Sequence, residues 1–182
     1  MRVMHRIFRT LLVFVLLAAA GFAADFAEWR KKAETGDANA QFNLGFMYYN
    51  GEGVLKDDEE AVKWYRKAAS QGNASAQTNL GAMYAKGEGV PKDDAEAMSW
   101  YRKAADQGYA NAQTNLGDMY YDGTGVPKDL VQAHVWWNIA GAKGHEDAKK
   151  KLAFIEMQMT DSQKEKAMDM ARDLFAKLPK GK

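Results

Sequence analysis

The sequence predicts an all-α protein, a solenoid of repeated helix pairs with capping helices at both ends. The first observation behind this prediction is that shifting the chain by 36 residues aligns three units without a gap. The second is that each unit places apolar residues at helical spacing. The third is the composition, 47% hydrophobic and 27% charged, which is that of a folded globular chain. Stacking like units on one another is how such repeats bury a common core.

Residues 1–23 differ in character from the units that follow. Three arginines among the first nine residues precede an apolar run over 11–20, and small residues continue to Ala23. The apolar run has about half of the roughly 20 residues that a membrane-spanning helix needs. We therefore expect a secretory signal peptide that is cleaved after Ala23, with an uncleaved anchor as the alternative. The mature protein would then be periplasmic or secreted, in a bacterial envelope.

The remaining chain divides into five segments. The first two repeats agree at 25 of 36 positions, and the third agrees with the second at 19. After the third repeat, the register of a further first helix continues, but the glycine-rich loop is missing and Thr160 begins another helix. The predicted segments are an N-terminal capping helix (24–37), three repeats (38–73, 74–109 and 110–145), and a degenerate repeat with a C-terminal capping helix (146–182).

The first helix of each unit is predicted from one apolar stripe. In the first unit, Ala40, Leu44, Met47 and Tyr48 fall at i, i+4, i+7 and i+8. Gly51 follows directly, and a glycine at this position supplies the left-handed conformation in which many helices end. The same pattern recurs 36 and 72 residues later, so each unit begins with a helix of the same length.

The second helix of each unit follows a G-x-G-V-x-K-D loop. The aspartate that ends the loop is a predicted N-cap, and an acidic or amide residue three positions later is its predicted capping-box partner. These pairs are Asp57 with Glu60, Asp93 with Glu96, and Asp129 with Gln132. The helix then carries a small and aromatic stripe of the form A-x-x-W-Y-x-x-A-A, which indicates a face buried against its neighbour.

A glycine in the middle of each first helix opposes the local helix propensity. Gly45, Gly81 and Gly117 recur at one register, although glycine costs a helix interior about 1 kcal/mol relative to alanine. We therefore predict a close approach of the paired helix at these positions. The side chains expected to fill the space are Trp64, Trp100 and Trp136.

These motifs resemble the Sel-1-like repeat family, relatives of the tetratricopeptide repeats. The resemblance rests on A-x-A-Q-x-N-L-G-x-M-Y, G-x-G-V-x-K-D and A-x-x-W-Y-x-x-A-A-x-x-G, and it covers residues 38–145. It implies a right-handed superhelical solenoid in which the first helices line a concave groove. It also implies a protein-interaction adaptor that binds a peptide or protein segment in that groove.

The resemblance places the candidate binding residues on the first helices. Exposed aromatics there are typical interface anchors, and one asparagine per repeat offers an amide that can both donate and accept. The alternative for these asparagines is that they hydrogen-bond the backbone of the adjacent repeat. Thr78 and Thr114 are expected on the same exposed face. The predicted protein-binding residues are Asn39, Phe42, Asn43, Phe46, Tyr49, Asn79, Lys86, Asn115, Asp118, Tyr121 and Asp122.

Composition and motifs argue against most other chemistries. The formal net charge of +1 gives no basic field for nucleic acid, and the absence of cysteine excludes disulfides, thiolate metal sites and cysteine nucleophiles. The mature histidines, His134 and His145, have no companion ligands at metal-site spacing, and the glycine loops follow helices rather than strands. We therefore expect no cofactor, no metal, no catalytic residue and no stable membrane insertion. The alternatives to an adaptor are a small envelope hydrolase and a glycan- or peptidoglycan-binding protein.

Overall fold

The computed structural model describes residues 25–179. Residues 25–34 form helix α1, and eight further helices follow in this range. They are α2 (Ala38–Asn50), α3 (Asp58–Ser70), α4 (Ala74–Lys86), α5 (Asp94–Asp106), α6 (Ala110–Asp122), α7 (Leu130–Ala142), α8 (Glu146–Glu156) and α9 (Asp161–Lys177). None of the helices in the described range is long and apolar enough to cross a membrane. The predicted signal peptide, 1–23, lies outside the described residues.

The helices pack as a continuous stack of pairs. Within the repeats, α2 packs on α3, α4 on α5, and α6 on α7. Between repeats, the second helix of one unit packs on the first helix of the next, and the last helix, α9, packs on α7. This arrangement confirms the predicted all-α fold of stacked helix pairs.

The predicted helix ends are confirmed, with one exception. Gly51 adopts the left-handed conformation with φ of 74°, as do the equivalent glycines of the other two repeats, and Asp57 accepts a hydrogen bond from the backbone of Glu60. The predicted return bonds to Glu60, Glu96 and Gln132 are wrong in all three repeats. The backbone N–H groups that would donate them, those of Asp57, Asp93 and Asp129, donate instead to the carbonyls of Tyr48, Tyr84 and Tyr120. A complete capping box forms at the start of α9, where Thr160 was predicted as the cap.

The second glycine of the G-x-G loop holds consecutive repeats together. Gly89 has φ of 65°, and a Cβ atom there would clash with the carbonyl of Asp58 at the start of α3. Gly125 makes the same approach to Asp94, where a Cβ atom would lie 2.9 Å from the carbonyl oxygen. Glycine is therefore needed both for its backbone conformation and for its lack of a side chain. The loop motif has a full structural explanation in the stacking of repeats.

The close approach at the mid-helix glycines is confirmed, but the predicted partner is wrong. A Cβ atom on Gly81 would lie 2.8 Å from two ring carbons of Tyr101, and Gly45 meets Tyr65 in the same way. At Gly117 the indole of Trp137 takes this place. The contacting aromatic is therefore the residue after the predicted tryptophan. Adjacent residues point about 100° apart around a helix, so only the second of the W-Y pair faces the glycine.

The predicted tryptophans divide between two environments. The rings of Trp64 and Trp100 are half-buried, with the lysine ammonium groups three positions later 3.9 and 3.7 Å from their ring centres. Trp136 is fully buried in the core between α7 and its neighbours.

A ladder of buried glutamines joins each repeat to the one before it. Gln41, Gln77 and Gln113 each donate from Nε2 to a backbone carbonyl eight residues earlier, at 3.0–3.1 Å. The Oε1 atoms of Gln41 and Gln77 each accept a hydrogen bond from a second glutamine. The donors are Gln71 and Gln107, respectively. The bonds from Nε2 reach carbonyls in the last turns of α1, α3 and α5, each of which also accepts from the backbone N–H of the glycine three residues later.

The terminal helices cover the ends of the stack with small side chains. Ala33 of α1 is buried against α2, and Ala167 and Ala171 of α9 are buried in the core around α7. Phe175 of α9 is 47% exposed. The cover that α9 provides is therefore limited to one narrow side of the helix.

A candidate polypeptide-binding cavity between the first two repeats

A cavity opens between α2 and α4, on the surface formed by the predicted binding residues of α2, α4 and α6. We call this surface the first-helix face. The cavity has a volume of about 240 Å³. Its lining consists of aromatic and aliphatic side chains with a polar end, and comprises Phe46, Tyr49, Tyr65, Asn79, Ala82, Met83, Lys86 and Glu88.

Three consecutive elements position these side chains. Phe46 and Tyr49 are three residues apart in the last turns of α2, so they share one side of that helix. Asn79 and Lys86 are seven residues apart on α4, which places them two turns apart on one side. Tyr65 reaches the cavity from α3, because its ring packs against the bare backbone of Gly45.

One side of the cavity is a cluster of aromatic rings. The ring centres of Phe42 and Phe46 are 6.4 Å apart, and those of Phe42 and Tyr65 are 5.8 Å apart. Phe46 remains 41% exposed, which is high for a phenylalanine in contact with other aromatics. An exposed aromatic beside a cavity is a typical anchor position for a partner protein.

The rim carries one positive and one negative group. The Tyr49 hydroxyl donates to the Glu88 carboxylate at 3.1 Å, and the Lys86 ammonium lies 3.8 Å from the same carboxylate. The two charges offset one another. The cavity therefore has no net charge that would select a strongly acidic or basic ligand.

The polar end of the cavity contains an unpaired hydroxyl. Tyr65 is 1% exposed, and its oxygen makes no hydrogen bond with both a favourable distance and a favourable angle. Burial raises the pKa of Tyr65 to about 12, because the phenolate is disfavoured away from water. The neighbouring Asn79 side chain interacts with this hydroxyl and opposes part of the shift.

Four of the predicted binding residues meet at this cavity: Phe46, Tyr49, Asn79 and Lys86. Phe42 packs behind them. Asn39 is used within the fold, because the N-cap residue Asn73 donates to its side-chain oxygen at 3.0 Å. The other predicted residues lie further along the first-helix face.

The third repeat uses its predicted binding residues to hold α8. The Lys151 ammonium donates to both carboxylate oxygens of Asp118, at 2.7 and 2.8 Å, and the Trp137 indole donates to the same carboxylate at 3.0 Å. Burial raises the pKa of Asp118, although the bonds from Lys151 oppose the shift. Tyr121 packs on the rings of Trp137 and Phe154. Asp118 and Tyr121 are therefore engaged by the chain itself, whereas Asp122 is exposed at the end of α6.

The recurring asparagines do not take the structural role that was the alternative to binding. In the described part of the chain, no hydrogen bond joins Asn43, Asn79 or Asn115 to the backbone of the adjacent repeat; the buried glutamines make those bonds instead. All three asparagines are half-buried. Thr78 and Thr114, expected on the exposed face, are buried and donate to carbonyls one turn earlier.

Four of the eight lining residues were not among the predicted binding residues: Tyr65, Ala82, Met83 and Glu88. Tyr65 was assigned to the core, and the glycine opposite it was the available signal that this ring reaches the first helix. Met83 belongs to the apolar stripe of α4, so its contribution to the cavity depends on how the helices are offset. Glu88 lies in a loop, 39 residues from the Tyr49 that it contacts.

The two histidines have structural contacts. His134 is fully buried, and its Nε2 atom lies 3.2 Å from the Glu156 carboxylate. His145 is the N-cap of α8 and contacts Asn111 at 3.0 Å. Between residues 25 and 179 there is no group of three or more histidine, cysteine or acidic side chains that could hold a metal ion.

The stacked pairs and the face that they expose define a helical-repeat protein. The Sel1 repeat family profile matches residues 38–73, 74–109 and 110–145, which together make up more than half of the chain. The chain therefore belongs to the Sel1 repeat family.

Three known proteins illustrate the relationship. The crystal structure of a protective antigen of uropathogenic Escherichia coli, which displays an SLR fold, is 38% identical with a TM-score of 0.79, over 84% of this chain and 33% of that one. A Sel1 repeat protein from Oxalobacter formigenes is 46% identical with a TM-score of 0.65, over 71% of this chain and 97% of that one. A sel1-like repeat-containing protein of Acanthamoeba polyphaga mimivirus is 53% identical over 32 residues, 18% of this chain and 6% of that protein. The chain thus matches about a third of the E. coli antigen and a small part of the viral protein.

Proposed function

We propose that this protein is a non-enzymatic adaptor that binds a polypeptide segment along its first-helix face. The observation that carries the proposal is the open cavity between α2 and α4, with the exposed ring of Phe46 at its edge. Anchor residues of protein partners typically insert into such aromatic-lined pockets. The membership of the Sel1 repeat family supports the proposal, because folds of this kind generally mediate protein interactions.

The size of the cavity favours a side chain over a whole small molecule. At about 240 Å³ it is smaller than the roughly 300–1,000 Å³ typical of small-molecule pockets. One anchoring side chain fits this volume, with the rest of the partner lying over the surrounding face. Aromatic anchors in a partially exposed site would then supply the binding energy, and the neutral rim would contribute orientation.

The closed third repeat limits where the segment lies. Asp118 and Tyr121 are occupied by contacts to α8, whereas Phe46, Tyr49 and Lys86 face the open cavity. The proposed segment therefore contacts mainly the first two repeats. Asn43 and Asn79 would hydrogen-bond its backbone, since their amides can both donate and accept.

We also propose that the protein acts outside the cytoplasm. The arginine-rich start and the short apolar run that follows it support export by a secretory signal peptide. Determining the N-terminal residue of the protein purified from its native cells tests this. A start at Ala24 is expected, and an intact Met1 would contradict it.

Two matched variants test the adaptor role. The double substitution Phe46→Ala and Tyr49→Ala removes the aromatic edge of the cavity, and Phe175→Ala removes an aromatic ring of similar exposure on α9. A polypeptide captured by the wild-type protein is identified by mass spectrometry, resynthesised as peptides, and titrated against all three proteins. The double variant should keep its helical circular dichroism and lose at least tenfold in affinity, whereas Phe175→Ala should bind normally. Equal binding by the double variant, or the absence of any bound peptide, would contradict the proposal.

A further inference from the structure

We propose that the cavity between α2 and α4 binds a tyrosine side chain of the partner polypeptide. This inference rests on the proposed adaptor function and specifies the chemistry of its anchor. Its basis is the combination of apolar walls with a buried hydroxyl, that of Tyr65, which makes no well-aligned hydrogen bond within the fold.

The walls of the cavity favour a bound side chain with an aromatic or aliphatic part. Phe46, Tyr49, Ala82 and Met83 present carbon atoms to the cavity, and a methionine side chain adapts readily to an aromatic ring. Burying apolar surface against these walls is favourable in proportion to the area removed from water. A small polar ligand would bury less apolar surface and would therefore bind less favourably.

The inner end of the cavity favours a bound side chain that ends in a hydrogen-bonding atom. The Tyr65 hydroxyl can donate one hydrogen bond and accept others, and the adjacent Asn79 amide can do both as well. A buried polar group without a partner is costly, and such groups are rare in folded proteins. An occupant that ends in a hydroxyl would supply the missing partner.

We call the contact between the first helices of consecutive units a junction: α2 with α4 is the first, and α6 with α8 is the third. In the third junction, the chain itself supplies a hydrogen-bond partner for the buried polar group. Trp137 stands 72 residues after Tyr65, and its buried indole N–H donates to the Asp118 carboxylate at 3.0 Å and to the Thr114 carbonyl at 3.2 Å. The residue equivalent to Asp118 in the first repeat is Phe46, which cannot accept a hydrogen bond. The first junction therefore lacks the carboxylate acceptor that the third one has.

The same comparison explains why the first junction is open. Lys151 stands 72 residues after Asn79, and its long side chain spans the gap to Asp118. Asn79 is too short to fill the corresponding space. The cavity and the unpaired hydroxyl therefore have the same origin. A phenylalanine and an asparagine stand in the first junction where the third has an ion pair.

The charges at the rim favour a neutral occupant. The Lys86 ammonium lies 3.8 Å from the Glu88 carboxylate, and the Tyr49 hydroxyl donates a hydrogen bond to that carboxylate. A carboxylate would meet the repulsion of Glu88, and an ammonium group would meet that of Lys86. Among neutral side chains, tyrosine combines an apolar ring with a terminal hydroxyl, and it is enriched among the anchors of protein interfaces.

The test uses two small probes that differ by this hydroxyl alone. N-acetyl-tyrosinamide and N-acetyl-phenylalaninamide are titrated into the ¹⁵N-labelled full chain, and amide shifts are followed by NMR. We expect the largest shifts at Phe46, Tyr49, Asn79 and Lys86, with the tyrosine probe binding at least about threefold more tightly. Tyr65→Phe should abolish the preference, whereas Tyr101→Phe, the same change one repeat further on, should retain it.

Three results would overturn the inference. They are equal or stronger binding of the phenylalanine probe, a preference that survives Tyr65→Phe, and shifts that are absent or lie elsewhere. This failure is separable from a failure of the adaptor role. If peptide binding still depends on Phe46 and Tyr49 while the tyrosine preference is absent, only the assignment of the anchor is wrong.

Discussion

Gln107 donates a 2.8 Å hydrogen bond to the side-chain oxygen of Gln77, thirty residues earlier in the chain. Gln77 in turn donates to the carbonyl of Ala69, so one buried amide joins three helices. In the third repeat the position of Gln107 is taken by Lys143, which donates to the Gly108 carbonyl instead. The Oε1 atom of Gln113 is consequently buried without a partner.

This difference predicts unequal costs for the same substitution. Gln77→Leu removes two side-chain hydrogen bonds, whereas Gln113→Leu removes one, together with an Oε1 atom that is already unpaired. We expect Gln77→Leu to lower the free energy of unfolding by about 2–3 kcal/mol, and Gln113→Leu by about 1 kcal/mol less. Urea denaturation measures both values. Equal costs would show that the paired glutamine contributes nothing.

The contact of Gly81 with Tyr101 predicts that a better helix former destabilises the protein. Alanine at position 81 should gain about 1 kcal/mol of helix propensity, but its Cβ atom would lie 2.8 Å from the Tyr101 ring. We expect Gly81→Ala to lower the melting temperature by several degrees. Ser99→Ala, at an exposed position of α5, is the control and should raise it slightly. A higher melting temperature for Gly81→Ala would refute the packing argument.

Buried tyrosines predict a loss of stability in alkaline solution. Burial raises the pKa of Tyr65 from 10.0 to about 12, and it raises the pKa of Tyr101 as well. Above pH 10 these residues ionise in the unfolded chain but stay protonated in the native one, so unfolding releases protons and stability falls as the pH rises. Tyr65 alone accounts for up to about 3 kcal/mol between pH 10 and 12.

Urea denaturation at pH 9 and at pH 11 measures this effect, with Tyr65→Phe as the variant that removes one of the two groups. The variant should lose less stability over this interval than the wild-type protein. An identical loss in both proteins would contradict the assigned burial of the hydroxyl.

The contact between Asp118 and Lys151 predicts a pH-dependent effect of removing the lysine. Lys151→Met leaves a half-buried carboxylate with the Trp137 indole as its remaining partner. We expect a loss of about 1–2 kcal/mol at pH 7, less than for a fully buried ion pair because water still reaches the carboxylate. Because burial already raises the pKa of Asp118, acidification neutralises it early, and the deficit should shrink as the pH falls toward 4. Lys150→Met, on the exposed side of α8, should have little effect at either pH.

The sequence was sufficient to predict the features that are local or periodic. The stop at Gly51, the cap at Asp57 and the capping box at Thr160 depend on residues a few positions apart, and the structure has each of them. The stack of pairs followed from the 36-residue period. These features were accessible because helix ends and apolar stripes are encoded by short-range spacing.

The features that were not predicted depend on the direction in which side chains point and on helices that depart from the repeat pattern. Trp64 and Tyr65 are adjacent, and the periodicity alone did not determine which of them faces Gly45. The occupation of Asp118 by Lys151 depends on the degenerate fourth unit, where the repeat supplies no template. The cavity itself exists because Phe46 and Asn79 stand where the third junction has an ion pair, and the sequence alone does not show that these two positions face each other.

Site-specific photo-cross-linking tests most directly whether the first-helix face holds a polypeptide. A benzophenone amino acid is introduced in place of Phe46 in one protein and in place of Phe175 in another, and cross-links formed in native cells are mapped by mass spectrometry. We predict that position 46 joins to one defined segment of a partner polypeptide and that position 175 does not. Cross-links at both positions to the same segment, or none to any polypeptide at position 46, would contradict the account.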